Sequence, residues 1–234
     1  MAPPLAIAVA QPECVPYDVA ANARAHAAAV RAAGARVVVF PELSLTGYEL
    51  DAPTLAAGDP RLAPLVAACA DTGAHALAGA PVAGDDGGCH IAMLAVDGTG
   101  ATVAYRKMWL GGDEPARFRP GGKPAVLAVD GWRLGLAICK DTGVPQHASD
   151  TAALGIDVYV AGVLHATDEL AIQEERARRV ATDHQVWVAV ASFAGSTGGG
   201  YDRAAGHSAV WSPGGLVVAR AGPETGAIAG ATLR

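Results

Sequence analysis

Glu42, Lys107 and Cys139 share one feature: each follows an apolar, strand-like run that stops abruptly. Glu42 comes after the run at 36–40 (RVVVF) and Pro41, Lys107 after the run at 102–106, and Cys139 after the run at 132–138. In α/β sheets the carboxyl ends of strands are where side chains from distant parts of a chain converge into active sites. A carboxylate, an ammonium and a thiol meeting there have a ready chemistry. The carboxylate takes the thiol proton, and the ammonium stabilises both the thiolate and an oxyanion developing on the attacked carbon. Each residue also has a blander reading: an inert buried thiol, a solvent-facing carboxylate, a snorkelling lysine. The set of three, not any one position, favours chemistry.

The elements that must carry these residues alternate along the chain. Short apolar runs predict strands at 5–10, 36–40, 75–80, 89–96 and 102–106, then at 126–129, 132–138, 156–161, 186–192, 208–211 and 216–219. Apolar spacing with glycine or charge signals predicts helices at 18–33, 59–72, 147–154 and 168–184. Asp130-Gly131 marks a hairpin, as does Pro213-Gly214-Gly215, and residues 84–88 read as a turn. Residues 195–200 read as a mobile glycine loop, because no Lys-Ser/Thr follows to make a phosphate cradle. Strands and helices alternating in both halves predict an α/β fold, in one domain over residues 1–234.

Composition narrows the function. The 234 residues carry 17 Lys+Arg against 23 Asp+Glu, a net charge of −6, which disfavours nucleic acid as partner. At 51% hydrophobic and 17% charged, the chain is too apolar for disorder, and its composition suggests that much apolar surface is covered, either by a large core or by a partner subunit. No run approaches the roughly 18 apolar residues of a membrane helix, and the opening MAPPLAIAVAQPE lacks the basic start of a signal peptide. Cys14, Cys69, Cys89 and Cys139 are far apart, a pattern of reduced thiols in a cytoplasmic protein. His75, His90 and His147 show no metal-ligand spacing, so neither metal nor cofactor is expected.

Several blocks together resemble the carbon–nitrogen hydrolases of the nitrilase superfamily, in an amidase-type member. They are IAVAQP at 7–12, VVVFPELSLTGY at 37–48, YRKMWL at 105–110, EPARFRPG at 114–121, LGLAICKD at 134–141 and GHSAVWSPGG at 206–215. The resemblance implies a four-layer α-β-β-α sandwich that pairs with a second subunit, as a homodimer or higher homo-oligomer. It implies a Glu–Lys–Cys triad at Glu42, Lys107 and Cys139, with Glu114 as the second glutamate that positions the lysine or the substrate. The activity implied is hydrolysis of a small linear amide through a Cys139 thioester, releasing an acid and ammonia or amine. Lys107 and the backbone N–H of Lys140 would hold the oxyanion. ICKD ends in Asp141, as in amidase-type members, whereas true nitrilases usually carry Trp-Glu after the cysteine. N-carbamoyl amines and nitriles remain as alternative substrates.

The chain also departs from the family pattern. Lys140 replaces the usual aromatic after the cysteine, TGVPQH at 142–147 replaces an RFPE-like stretch, and Trp109 stands where histidine is common. His184 and Ser192 occupy positions where asparagine is frequent. These changes motivate a rival reading, a catalytically silent ligand-binding or interaction subunit on the same fold. Tyr48, Trp109, Lys140 and His165 are the candidate substrate-binding residues, with Trp187 a further candidate lining. Lys140 has two readings: a solvent lysine paired with Asp141, which is favoured, or a second cation that recognises a substrate carboxylate. Burial would raise the Glu42 pKa and Lys107 would lower it, and both directions stay open.

Overall fold

The computed structural model of the chain describes residues 3–85 and 87–234. Residues 1, 2 and 86 lie outside it, and with residue 86 part of the expected turn at 84–88. The elements run β1 (Leu5–Ala10), α1 (Val19–Ala33), β2 (Val37–Val39), α2 (Ala63–Thr72), β3 (His75–Ala83), β4 (Cys89–Asp97) and β5 (Gly100–Arg106) in the first half. The second half adds β6 (Val126–Val129), β7 (Trp132–Ile138), α3 (Pro145–Ala152), β8 (Val158–Val163), α4 (Leu170–His184) and β9 (Trp187–Ser192). It closes with β10 (Ala194–Gly195), β11 (Ala204–Ala205), β12 (Ala209–Trp211), β13 (Val217–Arg220) and β14 (Ile228–Leu233). All four expected helices and all eleven expected strands are present, with ends moved by a few residues. Three strands, the short pair β10 and β11 and the last strand β14, lie outside the expected set.

Two six-stranded sheets form, in the orders β14-β1-β2-β3-β4-β5 and β13-β12-β9-β8-β7-β6. Each has three parallel strands at its centre, β1-β2-β3 and β7-β8-β9, with antiparallel strands outside them. The side-chain period of two explains the layers. In β1, Leu5, Ile7 and Val9 face a core between the sheets, where they meet Leu134, Leu136 and Ile138 of β7. Ala8 and Ala10, on the other face, join the core under α1 and α2. In β8, Val158 and Val160 point to the inter-sheet core while Tyr159, Ala161 and Val163 pack under α4. Three apolar layers between four structural ones make an α-β-β-α sandwich, as the resemblance implied. Strands buried on both faces read as continuous apolar runs for this reason.

Local chemistry sets the helix ends. Asp18 accepts the Ala21 N–H at 2.9 Å as the N-cap of α1. Gly34 and Gly73 end α1 and α2 in the left-handed conformation that glycine adopts without cost. No helix among the described residues is long and apolar enough to cross a membrane.

Candidate active site

The ends of β2, β5 and β7 bring the three strand-end residues together, and Glu114 joins them from the loop after β5. Lys107 Nζ donates to Glu42 Oε1 at 2.7 Å and to both Glu114 oxygens at 2.7 and 2.8 Å. All three side chains are about 1% exposed. An ammonium has three protons, and this cluster uses all of them. Glu114 is fixed further by the Tyr48 hydroxyl at 2.8 Å and the Gly111 N–H at 2.9 Å. Glu42 is not: its Oε2 is buried and has no hydrogen-bond partner.

Burial raises the Glu42 carboxyl to about 7; Lys107 opposes the rise and Glu114 adds to it. Burial therefore wins the competition that sequence left open. Burial works against the Lys107 charge, but Glu42, Cys139 and Glu114 outweigh it and hold its pKa above the ordinary lysine value. The Cys139 thiol is pushed up to about 12 by burial and by Glu42, against the pull of Lys107. At neutral pH the resting thiol therefore keeps its proton, which it donates weakly to the Leu164 carbonyl at 3.4 Å.

Two glycines make room for Glu42. A Cβ on Gly79 of β3 would lie 2.2 Å from the Leu43 nitrogen, and one on Gly162 of β8 would lie 2.6 Å from the Phe40 carbonyl oxygen. The Phe40–Leu43 segment thus passes between strands of opposite sheets at backbone contact. Cys139 opens the turn after β7 at a φ of +40°. A left-handed residue at a strand end turns its side chain and the next N–H out of the sheet, a geometry that L residues adopt under strain.

Sequence reasoning missed the residue that joins the two halves of the site. Asp141, fully buried, accepts from the Ile138 N–H at 2.9 Å, the Trp109 N–H at 2.9 Å and the Tyr105 hydroxyl at 2.8 Å. It serves both the cysteine turn and the lysine loop. The expected Lys140–Asp141 pair is not formed, because a carboxylate satisfied by three buried donors cannot also reach an exposed lysine. The signal available was an acidic residue two positions after an apolar strand, where a lone buried charge needs partners.

The other candidates divide. Tyr48 is in the cluster through Glu114. Trp109 contributes its backbone N–H, while the residue is 43% exposed. Lys140 is exposed, its stem lying along Gly111. His165 is buried, with Arg176 Nη1 at 3.4 Å from its Nε2, and burial holds its pKa down at about 4. It follows Leu164, the acceptor of the Cys139 thiol. Trp187 is corrected outright: it opens β9, opposite Val158 in a parallel pair, at the end of the sheet away from Cys139. Among the described residues, no group of three or more His, Cys, Asp or Glu side chains is arranged to hold a metal.

Comparison with known proteins bears on this geometry. A hydrolase encoded in the pqqF 5′ region of Pseudomonas protegens is 31% identical over 224 residues, covering 92% of this chain and 78% of the relative. Omega-amidase NIT2-A of Xenopus laevis is 35% identical over 143 residues, 57% of this chain and 51% of that protein. A cysteine-to-alanine variant of the amidase from Nesterenkonia sp. AN1, in complex with butyramide, superposes with a TM-score of 0.87 at 26% identity. That alignment covers 98% of this chain and 90% of the other. The carbon-nitrogen hydrolase family model matches residues 6–234. With the sandwich fold in place and the match running through Glu42, Lys107, Glu114 and Cys139, the chain belongs to the carbon–nitrogen hydrolase family, enzymes of C–N bonds other than peptide bonds.

Proposed function

We propose that the chain hydrolyses a small linear amide through a thioester on Cys139, with Glu42 as base and acid, Lys107 as electrostatic stabiliser and Glu114 as the residue that positions Lys107. The observation that carries this reading is the state of Glu42. Lys107 holds one oxygen, and the other is buried and unpartnered beside a protonated thiol. A carboxylate with a pKa near 7 is suited to both taking and returning a proton at neutral pH.

Glu42 takes the Cys139 proton as the thiolate attacks the amide carbon. The carbonyl oxygen becomes an oxyanion, met by Lys107 and by the N–H of Lys140, each such donor contributing about 3 kcal/mol. Lys107 stays charged and can turn one N–H donor to the oxyanion, because Glu114 engages it with both oxygens. Protonated Glu42 passes its proton to the departing nitrogen, the C–N bond breaks, and ammonia or amine leaves. A water then gives a proton to Glu42 and attacks the thioester. Collapse expels the thiolate, which recovers its proton from Glu42, and the carboxylic acid departs. The intact cluster supports an enzyme over a silent subunit. Amides are favoured over N-carbamoyl amines and nitriles by the amidase and omega-amidase relatives.

We further take the chain to act as one domain over residues 1–234, in a cytoplasmic homodimer or higher homo-oligomer. Four free cysteines suit a reducing compartment. Intact-protein mass spectrometry during turnover of acetamide, butyramide and glutaramic acid tests the central step. An acyl adduct on the wild type, missing from Cys139→Ala, is expected. Turnover retained by Cys139→Ala would end the nucleophile assignment.

A further inference from the structure

The glycine loop singled out by sequence is a closed turn with a defined position. Thr197 N donates to Tyr201 O at 3.0 Å, and Tyr201 N donates to Gly198 O at 2.9 Å. Gly198, Gly199 and Gly200 inside it have φ values of +87°, +57° and +82°, a run that glycine alone adopts freely. The turn is tied to the segment behind the catalytic cluster. Tyr48 N donates to Thr197 O at 2.8 Å and Gly199 N to Glu49 Oε1 at 3.1 Å. A Cβ on Gly199 would stand 2.2 Å from the Tyr48 carbonyl oxygen.

This anchoring delivers Tyr201 to the site. Its ring meets that of Tyr48 edge-on, with centroids 5.3 Å apart and planes at 80°. Tyr48 holds Glu114 by its hydroxyl. Tyr201 also packs on the cluster of Leu164, Phe193 and Ala204, and Leu164 offers the carbonyl that receives the Cys139 thiol. The Tyr201 ring is thus tied to Tyr48, which holds Glu114, and to the apolar cluster that includes Leu164, the residue before His165. Burial raises the Tyr201 pKa, and so do the charges of Glu169, Cys139, Glu42 and Glu114.

We propose that Tyr201 is a specificity-determining residue: held by the glycine turn against Tyr48 and the cluster of Leu164, Phe193 and Ala204, it bounds the acyl side of the substrate site at Cys139 and confines the enzyme to short linear amides. The assignment rests on the amide reading above. The ring sets the limit, so Tyr201→Phe retains it and Tyr201→Ala lifts it. Tyr201→Val, a smaller truncation, lifts it in part and serves should the alanine variant fold poorly.

The test measures kcat/KM for acetamide, butyramide, hexanamide and octanamide with the wild type and the three variants. Dissociation constants of the same amides are measured by calorimetry in a Cys139→Ala background, so that binding is read without turnover. The wild type is expected to fall off beyond butyramide. Tyr201→Ala is expected to raise the hexanamide-to-acetamide ratio at least about tenfold, as a few methylenes in an apolar pocket allow, with the same trend in binding. A ratio unchanged in both the Ala and Val variants would overturn the proposal while leaving the thioester chemistry standing. A wild type that turns over none of the four amides, with none of them bound by Cys139→Ala, would overturn the amide reading and this assignment together.

Discussion

The Tyr105 hydroxyl donates to Asp141 Oδ2 at 2.8 Å, two residues before Lys107 and two residues after Cys139. This one bond joins the strand that leads to Lys107 to the turn that carries Cys139. The network continues outward, with the ring protons of His147 assigned from its partners. His147 Nε2 donates to the Tyr105 oxygen at 2.9 Å, and the Tyr159 hydroxyl donates to His147 Nδ1 at 2.9 Å. Burial keeps His147 below its ordinary pKa, so the ring is neutral, as this pattern of donors requires. Tyr105→Phe removes one donor from a buried carboxylate and the acceptor of His147. Loss of such a bond costs roughly 1–3 kcal/mol of stability. A displacement of Lys107 against Cys139 lowers kcat by on the order of 10–100-fold, with KM little changed. Urea denaturation and steady-state kinetics check the two effects separately.

The proposed role of Glu42 carries a pH dependence. As the proposed base it must be ionised, so kcat/KM is expected to rise with pH through about 7, the raised value of its carboxyl. The thiol, pushed up to about 12, adds no alkaline limb in the accessible range. Glu42→Gln should lose the acid limb together with nearly all activity. A pH–rate profile of the wild type whose acid limb lies near 4.5 would contradict the assignment.

The same shift has a stability consequence with a definite sign. A folded-state pKa raised above the unfolded value makes the stabilising contribution greatest at low pH. It is fully present below about 4.5, where Glu42 is protonated in both states, and is lost as pH climbs through about 7. Above that pH the wild type holds a desolvated charge at a cost on the order of 3 kcal/mol. Glu42→Gln is therefore expected to match the wild type at pH 5 and to melt several degrees higher at pH 8.5. Scanning calorimetry at the two pH values reads the difference.

Gly79 leaves no space for a side chain. Its added Cβ would stand 2.2 Å from the Leu43 nitrogen and 2.6 Å from the Pro41 carbonyl oxygen, both backbone atoms. Gly79→Ala should destabilise by about 1–3 kcal/mol or more, and it should cost activity beyond that loss because the displaced segment carries Glu42. Serine in place of Ala at Ala83, the exposed end of the same strand, should do neither.

Lys140 is exposed and has no carboxylate partner at Asp141. In the proposed mechanism Lys140 offers the oxyanion only its backbone N–H, so Lys140→Ala should keep kcat/KM for neutral amides within about twofold. A selective tenfold loss on glutaramic acid, with acetamide unaffected, would reinstate the reading of Lys140 as a carboxylate-binding cation.

Much of this protein was legible in its sequence. Runs such as LAIAVA and RVVVF announce buried strands because a strand covered on both faces is apolar throughout, and Glu42, Lys107 and Cys139 stand out because a polar group at the end of such a run must be satisfied or used. The helices are equally plain, since Asp18, Gly34 and Gly73 act on neighbours only a few residues away. What only the tertiary structure decided is long-range. Leu5 pairs with Leu233 across nearly the whole chain, so the Gly- and Ala-rich β14 has no local strand signal and is a strand because β1 offers it an edge. Trp187 proved to sit at the wrong end of its sheet, a matter of parallel register. Asp141 became a structural tie rather than the partner of Lys140, and Tyr201 reached Tyr48 through a glycine turn. Residue type and spacing name the groups capable of chemistry. Their distances, their burial and hence their proton affinities arise from contacts between elements far apart in the chain, which no local pattern encodes.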